Sequence, residues 1–222
     1  MTNEWCAIHH KSDPPQSPFA PQWDFTIGEK QIDIDCEELT KIILQKEEEI
    51  KAQFPASSDG NTGLGPNSLT SRFRHFNVLT WGFPATDQLH QEIKKFHRQY
   101  YESMFGMFQR VPKLRIRCWA NVLRKGERIK QHWHSVHPHT YLGGHLTVAA
   151  VDTKTIYTHP YDNIGRNYEA ENVPGKLTLF PNYLPHYTTV NQQDSPRITI
   201  AFDLTQLTTI FTDDDDHTLI PL

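Results

Sequence analysis

Cysteine is scarce in this chain. Cys6, Cys36 and Cys118 are odd in number, far apart and without a CxxC pair, which argues against a disulfide framework and for reduced thiols in a cytoplasmic setting. Long apolar runs are missing too. No stretch approaches the roughly 18–20 residues of a membrane helix, and the opening MTNEWCAIHHKSDPPQSPFAPQ lacks the basic-then-apolar order of a signal peptide. A cytoplasmic protein without a membrane partner is therefore expected. Nor is there an excess of positive charge: 22 basic residues face 26 acidic ones, for a net charge of −4, which offers no general attraction to nucleic acid. The chain has no internal repeat, and no GxSxG that would support a serine hydrolase.

What is present suits one domain over residues 1–222. The 12 Phe, 8 Tyr and 5 Trp suffice for a sizeable core. Residues 1–22, with four prolines, read as an irregular arm. Trp23–Ile32 reads as a short strand turning at Gly28. Residues 35–106 read as helical support and loop. Asp35 before CEEL makes an Asp-x-x-Glu cap, and Leu39, Ile42, Ile43, Ile50 and Phe54 follow at helical spacing, with Lys and Glu on the other face, until Pro55. Residues 55–82 are rich in Gly, Ser and Asn and read as a long loop of the lid or binding kind. Its basic cluster, Arg72, Arg74 and His75, reads as solvated surface, with substrate contact as the alternative. A second helix is expected from about Thr86 to Phe105, with Leu89, Ile93, Phe96, Tyr100 and Met104 on its core face and Gly106 as its cap.

From residue 110 to 210 the period changes to two. LRIRCWANVL, LTVAAV, KLTLF and RITIAFDL are strand-like, separated by turn signals at Lys125-Gly126, Gly143-Gly144, Asp162-Asn163, Pro174-Gly175 and Gln193-Asp194. Helices first and strands after argue for an α+β fold, a jelly-roll (double-stranded β-helix, cupin-like) barrel with N-terminal supporting helices. The acidic run FTDDDDH near the end reads as a solvated tail.

One stretch concentrates chemistry. QHWHSVHPHTYLGGH, residues 131–145, holds five of the 13 histidines, and imidazole is the commonest ligand of first-row divalent metals. Gly126 precedes His132-Trp133-His134; LTLFPNYLPHY later places His186 after a strand and a turn; Arg197-Ile198-Thr199 opens the last long strand. In a jelly roll, a His-x-ligand pair ends one strand and a third ligand comes from a strand across the barrel. An Arg about ten residues further on can meet a carboxylate at the pocket base. Here His186 and Arg197 are eleven residues apart, and Thr199 points the same way as Arg197.

These elements resemble the 2-oxoglutarate- and Fe(II)-dependent oxygenases of phages and marine bacteria. The likeness runs over roughly residues 110–205, through WANV, Gly126 with HxH, Pro-x-x-x-Leu-Gly-Gly, FPNYLPH and RITIAF. The resemblance implies that His132 and His186 bind Fe(II) and that the residue two after His132 completes the triad. It implies further that Arg197 with Thr199 holds the distal carboxylate of 2-oxoglutarate, with Asn121 as a weaker co-substrate contact. The expected reaction takes 2-oxoglutarate and O2 to succinate and CO2 while a small-molecule or peptidyl substrate is hydroxylated. Most such enzymes complete the triad with an aspartate, whereas His134 stands here, with His137 and His139 as alternative ligands. His145 reads as a strand residue facing the interior. Trp133 and Tyr141 are near enough to line the cavity.

Two rivals stand beside this reading. A cupin dioxygenase also opens with Gly, HxH and a later histidine, and three-histidine iron suits it. The glutamate cupins carry after HxH is missing, however, and Arg197-x-Thr199 has no place there. A silent metal-binding jelly roll would keep the histidines without turnover.

Overall fold

The computed structural model describes residues 4–55, 58–59, 61–136, 138–159, 167–206 and 218–222. In chain order the elements are β1 (Cys6–Lys11), β2 (Asp24–Gln31), α1 (Cys36–Gln53), α2 (Pro84–Phe105), β3 (Leu114–Leu123), β4 (Leu142–Ala149), β5 (Lys154–Tyr157), β6 (Tyr168–Glu171), β7 (Lys176–Pro181), β8 (His186–Thr188), β9 (Arg197–Gln206) and β10 (Ile220–Pro221). Seven strands form one sheet in the order β1-β2-β7-β4-β9-β3-β10, and β6-β5-β8 form a second. Neighbouring strands in both sheets run antiparallel. This is the double-stranded β-helix expected, but its helices do not precede all the strands: β1 and β2 of the larger sheet come first, and both helices lie between β2 and β3.

Period-two alternation assigns each sheet face its job. On β3 and β9, Ile116, Cys118, Ala120, Val122, Ile198, Ile200, Phe202 and Leu204 pack with Leu39 and Ile43 of α1 and Leu89, Ile93 and Phe96 of α2 in one core. Burying each such aliphatic or aromatic side chain contributes about 1.5–3 kcal/mol. The alternate residues of β9 turn into the barrel. A smaller cluster of Phe25, Ile27, Tyr157, Phe180 and Leu184 fills the space between the sheets.

Helix α1 starts as its sequence implies: Asp35 Oδ1 accepts the Glu38 amide at 2.8 Å. Its inner face differs from expectation at Glu47, which is buried rather than solvated. Arg124, in the turn after β3, grips both Glu47 oxygens at 3.0 and 2.7 Å. A charge can be buried at that cost only when paired in this way. Helix α2 begins two residues earlier than expected, with Pro84 in its first turn, where a missing amide costs nothing. Met104 is on its exposed side, not in the core.

Three other expectations are corrected. The N-terminal arm is not wholly irregular, because β1 pairs with β2 along Cys6–Lys11. Gly28 is no turn: it lies within β2, where a Cβ would sit 2.9 Å from Tyr100 Cδ2 and 3.1 Å from Phe96 Cζ. Gly143 and Gly144 are likewise strand residues of β4. A Cβ on Gly144 would meet the Phe202 ring and the Thr178 carbonyl. Glycine marks close approach at these positions, not chain reversal. At Gly126, by contrast, φ is +84° and the turn is real. The Asp162-Asn163 turn and the FTDDDDH tail lie outside the described residues.

Candidate active site

The segment after Gly126 lies alongside the chain that carries β8. Gly126 N donates to Asn191 O, Asn191 N to Glu127 O and Thr188 N to Ile129 O. His132 and His186 then exchange amide-to-carbonyl bonds of 3.0 and 2.9 Å. His134 N reaches Asn182 O at 2.9 Å. This antiparallel run makes residues 126–134 an extra margin of the smaller sheet and delivers three histidines to one point.

His132, His134 and His186 have their ligand atoms within 4.8 Å of one another, His186 buried and the others half-buried. Each ring is held through Nδ1. His132 Nδ1 lies 2.9 Å from Lys130 O, and His186 Nδ1 lies 3.0 Å from Leu184 O. His134 Nδ1 lies 2.5 Å from Asp203 Oδ1. A carbonyl or carboxylate oxygen can only accept, so Nδ1 donates in each ring and Nε2 is the atom left to face a metal. Outer partners of this kind orient metal-binding imidazoles.

Burial, reinforced by the neighbouring His134, holds the His132 ring down at about 4. His186 is pushed well below the ordinary imidazole range by burial, with His132 adding to it. Both rings are therefore neutral near pH 7, the form a metal requires. The donor set fits a first-row divalent ion. His139 is not in the group, and His137 lies outside the described residues.

The three rings face a cavity of about 510 Å³. Its floor is built from β9, whose inward side chains are Arg197, Thr199, Ala201 and Asp203. Arg197 is only 2% exposed, and Nη2 has one partner, Thr155 Oγ1, at 3.3 Å. Its Nε and Nη1 are buried without any hydrogen-bond partner. Burial lowers this guanidinium to about 10, so it is still charged at neutral pH. A buried cation with two idle donors fits a carboxylate.

Asn121 is where expected, on the cavity wall, but both ends of its amide are engaged. Its Oδ1 accepts from Thr70 Oγ1 at 2.7 Å and its Nδ2 donates to Thr199 Oγ1 at 3.3 Å. Thr199 thereby accepts from Asn121 and keeps its own proton to donate. His145 is buried in the barrel interior, as read, and its Nε2 lies 3.0 Å from Tyr157 Oη. Burial, then the nearby Arg197, takes this ring down to about 3. Trp133 lines the cavity while staying 57% exposed. Tyr141 does not line it and bonds His97 instead.

The basic cluster of the long loop divides by role. Arg72 is buried scaffold: Nε donates to Phe54 O, and Nη1 donates to Pro66 O, Ser68 O and Ser71 Oγ. Arg74 and His75 are exposed and line the cavity mouth. The region 153–173 carries β5 and β6 of the smaller sheet, with residues 160–166 outside the described set.

Asp203 was not foreseen. The signal was available: Arg197 and Thr199 face inward, and two more steps of two along the same strand reach Ala201 and Asp203. A carboxylate was sought near HxH in sequence, whereas it arrives from 69 residues away.

The barrel thus gathers three imidazoles and a buried guanidinium with two unpartnered nitrogens into one cavity, an arrangement that could hold a divalent metal beside a carboxylate. Residues 117–203 match the family model described as "Putative 2OG-Fe(II) oxygenase". That segment runs from β3 to β9, covers less than half of the chain, and is similar to the 2-oxoglutarate- and Fe(II)-dependent oxygenases. No curated protein sequence matches the chain.

Solved structures share the fold. A Pseudomonas putida prolyl-4-hydroxylase superposes with a TM-score of 0.51 at 11% identity, over 82% of this chain and 93% of that one. A Trichoplax adhaerens prolyl hydroxylase, in complex with a hypoxia-inducible-factor peptide fragment, gives 0.51 at 12%, over 92% and 84%. The epimerase SnoN of nogalamycin biosynthesis, in complex with Fe3+, alpha ketoglutarate and nogalamycin RO, gives 0.52 at 12%, over 81% and 78%.

Proposed function

We propose that this protein is a 2-oxoglutarate-dependent oxygenase, a hydroxylase in which His132, His134 and His186 hold Fe(II), with Arg197 and Thr199 holding the distal carboxylate of 2-oxoglutarate. The observation that carries this reading is the buried Arg197, whose Nε and Nη1 have no partner in the same cavity as the three histidines. Leaving a guanidinium buried and unpaired is costly, and a carboxylate that completes its hydrogen bonds removes that cost. Bound Fe(II) supplies oxygen activation coupled to decarboxylation of 2-oxoglutarate, with succinate and CO2 as products.

The chain's own residues do the rest. The Nδ1 bonds orient three imidazoles and aim them inward, the role of a preorganised site. Thr199 has a hydroxyl proton to add beside Arg197, and Asn121 fixes that hydroxyl's direction while tying the wall to Thr70 of the long loop. Trp133, Arg74 and His75 stand at the mouth, where a small molecule or a peptidyl residue would enter. The fold does not choose between these, since its neighbours include prolyl hydroxylases and an epimerase from nogalamycin biosynthesis. Three free cysteines suit a reducing, cytoplasmic compartment.

The cupin-type alternative is favoured by one observation, the all-histidine donor set, and opposed by Arg197. Anaerobic addition of 2-oxoglutarate to the Fe(II)-loaded protein separates them. The expected result is a visible metal-to-ligand charge-transfer band, followed in air by succinate formation. Absence of both, with iron bound, would remove the hydroxylase reading.

A further inference from the structure

The three imidazoles are not held alike. His132 and His186 each donate Nδ1–H to a backbone carbonyl two residues earlier, at 2.9 and 3.0 Å. Those are local, neutral braces. His134 alone donates to a side-chain carboxylate, Asp203 Oδ1, at 2.5 Å.

The pair occupies a slot made for it. Asp203 is the fourth inward residue of β9, and its neighbour across the ladder on β4 is Gly143. A Cβ on Gly143 would lie 3.1 Å from His134 Nδ1 and 3.3 Å from Asp203 Oδ1. Any larger residue there would press on this hydrogen bond. The His134 side chain is 7% exposed and that of Asp203 25%, so the bond is largely shielded from water, where a charge-assisted bond is strongest.

Charge counting shows what the pair does. Two histidines and a carboxylate lower a divalent site to a net +1, while three neutral imidazoles leave it at +2. Asp203, one hydrogen bond behind His134, returns the site to +1. Its partial pull on the Nδ1 proton also makes Nε2 a stronger donor.

We propose that Asp203 is a positioning residue that replaces, from behind His134, the carboxylate missing from the metal triad. This makes His134, not His139, the second ligand. The proposal rests on the three-histidine metal site of the preceding reading, though not on its hydroxylase chemistry.

The test uses the full chain, metal-free, with Co(II) alone as probe. Chelator competition gives the Co(II) affinity and the visible d–d spectrum reports the ligand field. Asp203→Asn keeps the shape and an acceptor oxygen but removes the charge; Asp203→Ala removes both. The Asp203→Ala protein is expected to bind Co(II) about 10- to 100-fold more weakly with an altered spectrum, and Asp203→Asn to fall between it and the unaltered chain. His139→Gln is expected to leave both readouts unchanged.

A second readout separates electrostatics from simple damage. In the Co(II)-loaded Asp203→Asn protein the extra positive charge is expected to hold or raise the affinity for 2-oxoglutarate, a dianion, while metal affinity falls. A parallel loss of both affinities would overturn the electrostatic role. Unchanged Co(II) affinity and spectrum in Asp203→Ala would overturn the proposal outright and leave the hydroxylase reading standing. Co(II) binding that depends on Asp203 but ignores 2-oxoglutarate would do the reverse. If the unaltered chain bound no Co(II), both would fall. Should Asp203→Ala not fold, Asp203→Asn carries the same comparisons.

Discussion

His132 and His186 are joined twice through their backbones, each amide donating to the other's carbonyl at 3.0 and 2.9 Å, and their rings stand 4.3 Å apart between centroids. Ladder bonds, not side-chain contacts alone, thus set the spacing of two candidate ligands separated by 54 positions in sequence (186 − 132). Preorganisation of this kind is inherited from the sheet.

Arg197 holds a charge that the protein alone does not pair. Arg197→Met is expected to stabilise the metal-free protein by about 1–4 kcal/mol, a rise of roughly 2–16 °C in thermal midpoint. The same variant should lose the further stabilisation that 2-oxoglutarate gives the metal-loaded protein. Thermal melts with and without both additions check this. A lower midpoint for the metal-free variant would mean that the guanidinium serves the fold itself.

Gly144 has no room for a side chain. Gly144→Ala is expected to cost about 1–3 kcal/mol by overpacking, because the Thr178 carbonyl it would strike belongs to the strand β4 pairs with, and the Phe202 ring belongs to the helix-facing core. Urea titration measures the cost. A change below a few tenths of a kcal/mol would show that β4 and β7 can part without penalty.

Arg72 ties down the loop that ends at the cavity mouth. Arg72→Met strands the carbonyls of Phe54, Pro66 and Ser68, at an expected cost on the order of 3 kcal/mol. Amide hydrogen exchange should quicken over residues 66–73 well before the barrel strands respond. Uniform exchange throughout the chain would argue against a local role.

His97 should make stability depend on pH. Its ring is buried against Tyr141, with Nε2 2.8 Å from the phenol oxygen, and burial lowers it from 6.5 to about 4. Between those values the unfolded chain binds more protons than the folded one, so stability is present above pH 6.5 and is lost as pH falls toward 4. The interval corresponds to at most about 3 kcal/mol. His97→Gln should narrow the gap between the melting points of the metal-free protein at pH 7 and pH 5; an equal gap would place the titration elsewhere.

Much of this was legible in residue order. Asp35 announced α1 because a carboxylate three residues before an amide is a local device, and HxH with His186 and Arg197 marked the site because period two governs which side chains share a face. Local rules also fail locally. The glycines at 28, 143 and 144 have the look of turns in sequence, but each owes its identity to a ring or carbonyl brought from another element. Glu47 follows the solvent face of a helix by composition and is buried because Arg124 reaches it from β3's end.

The candidate ligands, the inward-facing Arg197 and the barrel that carries them were thus determined by sequence alone, since each depends on residue type and short-range periodicity. Only the tertiary structure decided that His134 joins His132 and His186 while His139 does not. It also decided that the charge missing from HxH comes back through Asp203. That outcome depends on strand pairing across 69 residues, where hydrogen-bond register, and no nearby motif, chooses the neighbours.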